Sequence, residues 1–152
     1  GGAGVKGIRC GTMDGKEFLK EHRMQSEWRY EPGDRRRKHR WKKDEAGFEE
    51  SGSGPIGKCH RSITSDVATH LLRAGVVYNA PGTDEPEHVY AVYRGVIYEA
   101  APTQPGVSFH GYPWRGDQGR PALPPRIRRV LHARADQEGF GEEFLAWLKQ
   151  YG

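Results

Sequence analysis

The most informative part of the sequence runs from residue 88 to residue 99 and reads His88-Val89-Tyr90-Ala91-Val92-Tyr93-Arg94-Gly95-Val96-Ile97-Tyr98-Glu99. Most of its side chains are β-branched or aromatic, and such side chains favour strands. Arg94-Gly95 interrupts the pattern and is typical of a tight turn. The stretch therefore predicts a β-hairpin in which His88 and Glu99 lie at the same end.

Weaker patterns flank the hairpin on both sides. Upstream, apolar residues recur at helical spacing and predict a helix that begins at Cys59 or Arg61 and ends at Ala74. Downstream, the proline-rich and glycine-rich residues from Pro102 to Pro125 predict a loop. Residues Ile127–Ala133 then predict a third strand, and Glu142–Tyr151 a terminal helix. Helices and an antiparallel hairpin together indicate an α+β fold.

Length and composition limit the classes of protein that this chain can belong to. Its 152 residues suit one domain, and only 35% of them are hydrophobic. No apolar run reaches the roughly 18 residues that a transmembrane helix needs, so we expect no membrane insertion. Two cysteines, Cys10 and Cys59, are too few for a disulfide scaffold and cannot alone hold a structural zinc.

The net charge of +4 arises entirely before Cys59. We interpret residues 1–57 as a glycine-rich start, a short helix and a loop arm with basic and acidic patches, and residues 58–152 as the core. Seven basic residues of this arm form a block that we expect to be solvent-exposed and able to bind a polyanion or a partner protein. The block consists of Arg35, Arg36, Arg37, Lys38, Arg40, Lys42 and Lys43.

Cys59 is the candidate nucleophile. At the start of a helix, a thiol faces unpaired backbone N–H groups that favour the reactive thiolate. A thiol nucleophile also needs a base, which a third group orients. His88 and Glu99, brought side by side by the hairpin, suit these two roles.

These three residues lie in motifs with a family resemblance. Gly57-x-Cys59, His88-Val89-Tyr90-x-Val92 and Gly95-x-x-Tyr98-Glu99, in this order, resemble the papain-like cysteine hydrolases. The nearest likeness is to the papain-fold toxin domains of bacterial polymorphic toxins and secreted effectors. The resemblance implies a papain-like fold in which the helix that bears the cysteine packs on a small antiparallel sheet.

The resemblance also implies an activity. Cys59 would be the nucleophile, His88 the general base and acid, and Glu99 the group that orients His88. The reaction would be that of a protease, amidase or protein-glutamine deamidase acting through a thioester acyl-enzyme. The implied partners are a protein or peptide substrate and a cognate immunity protein. The implied location is secretion, or delivery into a target cell as part of a larger toxin.

The aromatic segment around His110 is a second candidate region. We expect His110, Tyr112 and Trp114 to bind substrate, and His110 is an alternative to His88 as the base. No spacing typical of metal ligands and no phosphate-binding glycine loop occurs, so the sequence predicts no metal and no cofactor.

Two other classes of function remain open. The first is a metal-independent ribonuclease toxin or a nucleic-acid-binding module that uses the basic segment Arg35–Lys43, with His88 or His110 in acid–base catalysis. The second is an interaction domain without enzymatic activity. A nuclease should survive the substitution Cys59→Ala, whereas a cysteine hydrolase should not.

Overall fold

A computed structural model describes residues 24–31, 43, 45–49, 56–117 and 122–152 of the chain. Within these residues the chain forms seven strands, three α-helices and a 3₁₀ turn at Gln25–Glu27. The strands are β1 (Arg29–Tyr30), β2 (Gly47–Glu49), β3 (Ile56–Lys58), β4 (Val76–Asn79), β5 (Pro86–Tyr93), β6 (Val96–Gln104) and β7 (Ser108–Pro113). The helices are α1 (Ser65–Ala74), α2 (Pro125–Gln137) and α3 (Gly141–Tyr151).

The main sheet has the strand order β1-β7-β6-β5-β4. Strands β4 to β7 form an antiparallel meander, and β1 joins its edge by pairing in parallel with β7. The predicted hairpin is confirmed, with Tyr93 opposite Val96 and Arg94-Gly95 in the turn. Strands β2 and β3 form a separate antiparallel pair.

Helices cover both faces of the main sheet. On one face, Leu72 of α1 packs with Val89 and Phe109 of the sheet and with Trp28. On the other face, buried residues of α2 and α3 pack against the sheet; they include Ile127, Leu131, Phe144 and Trp147, which meet Tyr90, Val92 and Ile97. The α+β class is therefore correct, and in β5 the successive residues Val89 and Tyr90 belong to two different cores.

The predicted third strand at Ile127–Ala133 is wrong, because this segment lies within the helix α2. Its buried residues Ile127, Leu131 and Ala135 are four apart, which places them on one helix face against the sheet. The predicted loop at 102–125 is wrong in part, because it contains β7, whose Phe109 is buried in the core beneath α1.

The division at residue 57 also changes. Trp28 is buried, and the backbone N–H of Arg29 donates to the carbonyl of Val107 across the β1–β7 edge. Residues 24–31, which the sequence analysis assigns to the arm, therefore belong to the main sheet. The predicted short helix before Met24, Cys10 and the basic residues Arg35, Arg36, Arg37, Lys38, Arg40 and Lys42 lie outside the described residues.

None of the helices in the described part of the chain is long and apolar enough to cross a membrane.

Candidate functional site

Cys59 does not lie at the start of a helix. It occupies an isolated β-bridge position directly after β3, and α1 begins six residues later at Ser65. The helix is capped by Thr64, whose side chain accepts a hydrogen bond from the N–H of Val67. The expected stabilisation of a thiolate by the helix N-terminus is therefore not available to Cys59, and this prediction is wrong.

Apolar side chains surround the Cys59 thiol. Cys59 is 8% exposed and lines a small pocket with Ile63 and Leu71, next to the sheet residues Val89 and Tyr98. Burial raises the pKa of Tyr98, and the neighbouring Cys59 raises it further. An apolar setting of this kind is typical of a cysteine that packs as a small hydrophobic residue.

His88 and Glu99 lie on the opposite face of the sheet from Cys59. Tyr90 is paired with Glu99, so the two side chains share a face, and His88 is on that face two residues before Tyr90. The residues that line the Cys59 pocket from β5, Val89 and Ala91, alternate with these. The structure therefore brings His88 and Glu99 to one face, as predicted. Glu99 also lines the Cys59 pocket, but His88 does not.

Glu99 is a buried carboxylate held by two tyrosines. It is 7% exposed, and the Tyr112 hydroxyl donates to its Oε1 at 2.8 Å. The Tyr90 hydroxyl is also hydrogen-bonded to Glu99. Burial raises the pKa of Tyr90, and the charge of Glu99 and this hydrogen bond raise it further. The raised pKa keeps the Tyr90 hydroxyl protonated beside the carboxylate.

A cavity of about 360 Å³ opens over this cluster. Its volume lies in the range of small-molecule sites, about 300–1,000 Å³. The sheet supplies its floor, and the segment that leads into α2 supplies one wall. The lining residues are Tyr78, Glu87, His88, Tyr90, Glu99, Tyr112, Trp114, Ala122 and Pro124. Tyr112 and Trp114, which the sequence analysis predicts to bind substrate, both line it.

His110 lies on the same face as His88. It is opposite Ala101 on the neighbouring strand, and its Nδ1 is 2.8 Å from the Thr103 hydroxyl. The antiparallel register, continued by one residue from the Val89–Ala100 pair, places His88 on the other side of Ala101. Two strand spacings make the distance between the two histidine backbones about 10 Å. The small side chain of Ala101 lies between them.

Basic residues follow one wall of the cavity along the chain. The helix α2 begins directly after Pro124, a wall of the cavity, and its first turns carry the exposed residues Arg126, Arg128 and Arg129. Of the basic block that the sequence predicts for docking, Lys43 alone is described; it is exposed, and its carbonyl accepts from the N–H of Arg61.

Tyr78 and Tyr90 line the cavity, although the sequence does not mark them as site residues. The sequence feature that could have identified Tyr90 is the alternation of side chains between the two faces of a strand, which places Tyr90 on the same face as His88. A second polar cluster was also missed: Ser62 Oγ is 2.8 Å from His60 Nδ1 and 2.6 Å from the Tyr93 hydroxyl. The hydrogen bond from Ser62 lowers the pKa of Tyr93.

Within the described ranges, no three His, Cys, Asp or Glu side chains converge as metal ligands would. No family model, curated protein or solved structure matches the chain.

Proposed function

We propose that the chain is a metal-independent ribonuclease in which His88 and His110 act as the acid–base pair. One observation carries the proposal: His88 and His110 lie on one face of the sheet, on the two strands that flank β6, and His88 lines a cavity with a buried carboxylate. Two histidines arranged in this way suit a reaction in which one proton is removed and another is delivered across a short gap.

RNA cleavage fits this arrangement because the nucleophile belongs to the substrate. The 2′-hydroxyl attacks the adjacent phosphorus, and one histidine takes the hydroxyl proton. The bond between phosphorus and the 5′-oxygen breaks, and the other histidine donates a proton to that oxygen. The products are a 2′,3′-cyclic phosphate and a 5′-hydroxyl, so atoms and charges balance without a metal ion or cofactor.

The exposed arginines of α2 support an anionic substrate. Arg126, Arg128 and Arg129 follow the cavity wall at Pro124, and guanidinium groups bind phosphates well. Aromatic side chains around the cavity favour a single strand, whose bases are free to stack on them.

A cysteine hydrolase, which the papain-like resemblance implies, has less support. Such an enzyme needs the thiol and its base within hydrogen-bond reach. Cys59 faces α1 in an apolar pocket, whereas His88 faces the cavity on the other side of the sheet. The resemblance stays a prediction from sequence, and the toxin or effector setting that it implies suits either chemistry.

The experiment is cleavage of a single-stranded oligoribonucleotide in the presence of a chelator. We expect a 2′,3′-cyclic phosphate product and no cleavage of the matching oligodeoxyribonucleotide. His88→Ala and His110→Ala should each lower kcat by about 10²–10⁴-fold. Folded protein that leaves RNA intact over a range of sequences and pH values would refute the proposal.

A further inference from the structure

The cavity beside His88 contains more than acid–base groups. Four aromatic residues, Tyr78, Tyr90, Tyr112 and Trp114, line it. Stacking on aromatic faces is a general way of holding a nucleobase, and it does not by itself distinguish one base from another. An aromatic cavity next to the proposed catalytic histidines is therefore suited to the base of the nucleotide that is cleaved.

Glu99 gives this cavity a way to distinguish one nucleobase from another. Its carboxylate is buried at the cavity floor and is held in one orientation by the Tyr112 hydroxyl at 2.8 Å and by Tyr90. Two hydroxyl groups leave other lone pairs of the carboxylate available, because two carboxylate oxygens offer about four acceptor sites. A buried acceptor discriminates strongly between bases. A base that offers it no donor, or that places another acceptor against it, binds more weakly.

The chemistry of the four bases then narrows the choice. Guanine presents two neighbouring donors, N1–H and the 2-amino group, on its Watson–Crick edge. Adenine and cytosine each present an amino donor next to a ring acceptor, and uracil presents one N–H between two carbonyls. An ionised carboxylate only accepts hydrogen bonds, so guanine is the base whose edge it matches with two bonds.

We propose that this cavity is the subsite for a guanine base on the 5′ side of the cleaved bond, and that Glu99 is the residue that determines specificity. The inference rests on the proposed ribonuclease function, and it adds the substrate class: single-stranded RNA cleaved after guanosine. The phosphate that follows the base would lie over Ala101, between His88 and His110.

The test is a set of oligodeoxyribonucleotides that each contain a single ribonucleotide, G, A, C or U. Wild-type protein should cleave after G with a kcat/KM at least about tenfold above that for any other base. Glu99→Gln should lower kcat/KM for G about tenfold or more and raise the relative rate for A. An amide carries one acceptor and one donor, which match the adenine edge. A purely structural role of Glu99 would lower all four rates alike.

Two further variants serve as controls. Glu138→Gln makes the same chemical change at an exposed site after α2 and should leave the order of preference unchanged. Tyr112→Phe removes one hydrogen bond to Glu99 but keeps the carboxylate, so it should keep the preference for G at a lower rate. Tyr112→Phe also tests the inference if Glu99→Gln does not fold.

Calorimetry with guanosine 3′-monophosphate separates this inference from the proposed function. We expect the protein to bind guanosine 3′-monophosphate with an affinity about tenfold higher than that for inosine 3′-monophosphate, which lacks the 2-amino group. Selective binding without RNA cleavage would support the subsite and refute the ribonuclease. Cleavage without base preference, or an unchanged preference for G in Glu99→Gln, would overturn the inference. So would equal binding of the guanosine and cytidine nucleotides.

Discussion

At the scale of single residues, Tyr98 links packing to ionisation. It lies between Cys59 and the turn that leads to α1, and its hydroxyl accepts a hydrogen bond from the backbone N–H of His60 at 3.3 Å. Burial raises the pKa of Tyr98 far above its ordinary value of 10.0. The native protein therefore keeps the proton that an unfolded chain would release in alkaline solution.

This difference predicts a loss of stability at high pH. A raised native pKa contributes stability in full below pH 10 and loses it as the pH rises, because ionisation then favours the unfolded chain. Above pH 10 the free energy of unfolding should fall by up to about 1.4 kcal/mol per pH unit for each such tyrosine. Urea denaturation at pH 9, 10 and 11 measures the slope. Tyr98→Phe should show a shallower slope than wild type; parallel slopes would contradict this explanation.

At the scale of secondary-structure elements, the β5–β6 turn combines strain with close packing. Arg94 has φ 52° and Gly95 has φ 84°, the left-handed conformations that tight hairpin turns require. A side chain as large as that of Arg94 rarely adopts this conformation, whereas asparagine does so readily. At Gly95, a Cβ atom would lie 2.6 Å from the Cβ of Glu143 in α3.

Two substitutions in this turn should therefore have opposite effects. Arg94→Asn should raise the free energy of unfolding by about 1 kcal/mol, because it removes backbone strain. Gly95→Ala should lower it by more than about 1 kcal/mol, because it adds both strain and a clash with α3. Thermal denaturation of the two variants and of wild type measures these changes in stability. Lower stability of Arg94→Asn would show that contacts of the arginine outweigh the strain.

The helix α2 shows where local patterns fail. Ile127, Val130 and Leu131 are β-branched or apolar and favour a strand, but their spacings of three and four residues suit a helix equally well. The hairpin was predictable because its two strand-forming segments and the turn between them indicate the same structure. The secondary structure of a short apolar segment without a turn signal depends on what the segment packs against. The sheet residues that bury Ile127 and Leu131 are distant in sequence.

This packing carries a measurable energy. Leu131 is fully buried, so Leu131→Ala should lower the free energy of unfolding by about 2–5 kcal/mol. Arg128→Ala, on the exposed side of the same helix, should change it by about 0.5 kcal/mol or less. Equal effects of the two substitutions in chemical denaturation would contradict the burial of this face of α2 against the sheet.

At the scale of the whole molecule, the sheet separates two environments. One face holds Cys59 and α1 in an apolar layer. The other carries His110 and, at the cavity, His88 and Glu99. The order of residues along the chain predicts the hairpin and the nearness of His88 to Glu99, because both are local. It does not predict the face on which Cys59 lies, which depends on the path of the chain between β3 and α1.

Under the proposed function, catalysis takes place on the face of the sheet that carries His88 and His110. The most direct measurement compares the RNA-cleavage rates of Cys59→Ala and His88→Ala, with folding of both variants checked by circular dichroism. We predict that Cys59→Ala keeps the wild-type rate and that His88→Ala loses about 10²–10⁴-fold. Loss of cleavage in Cys59→Ala, with activity retained in His88→Ala, would contradict the account and place the chemistry on the other face.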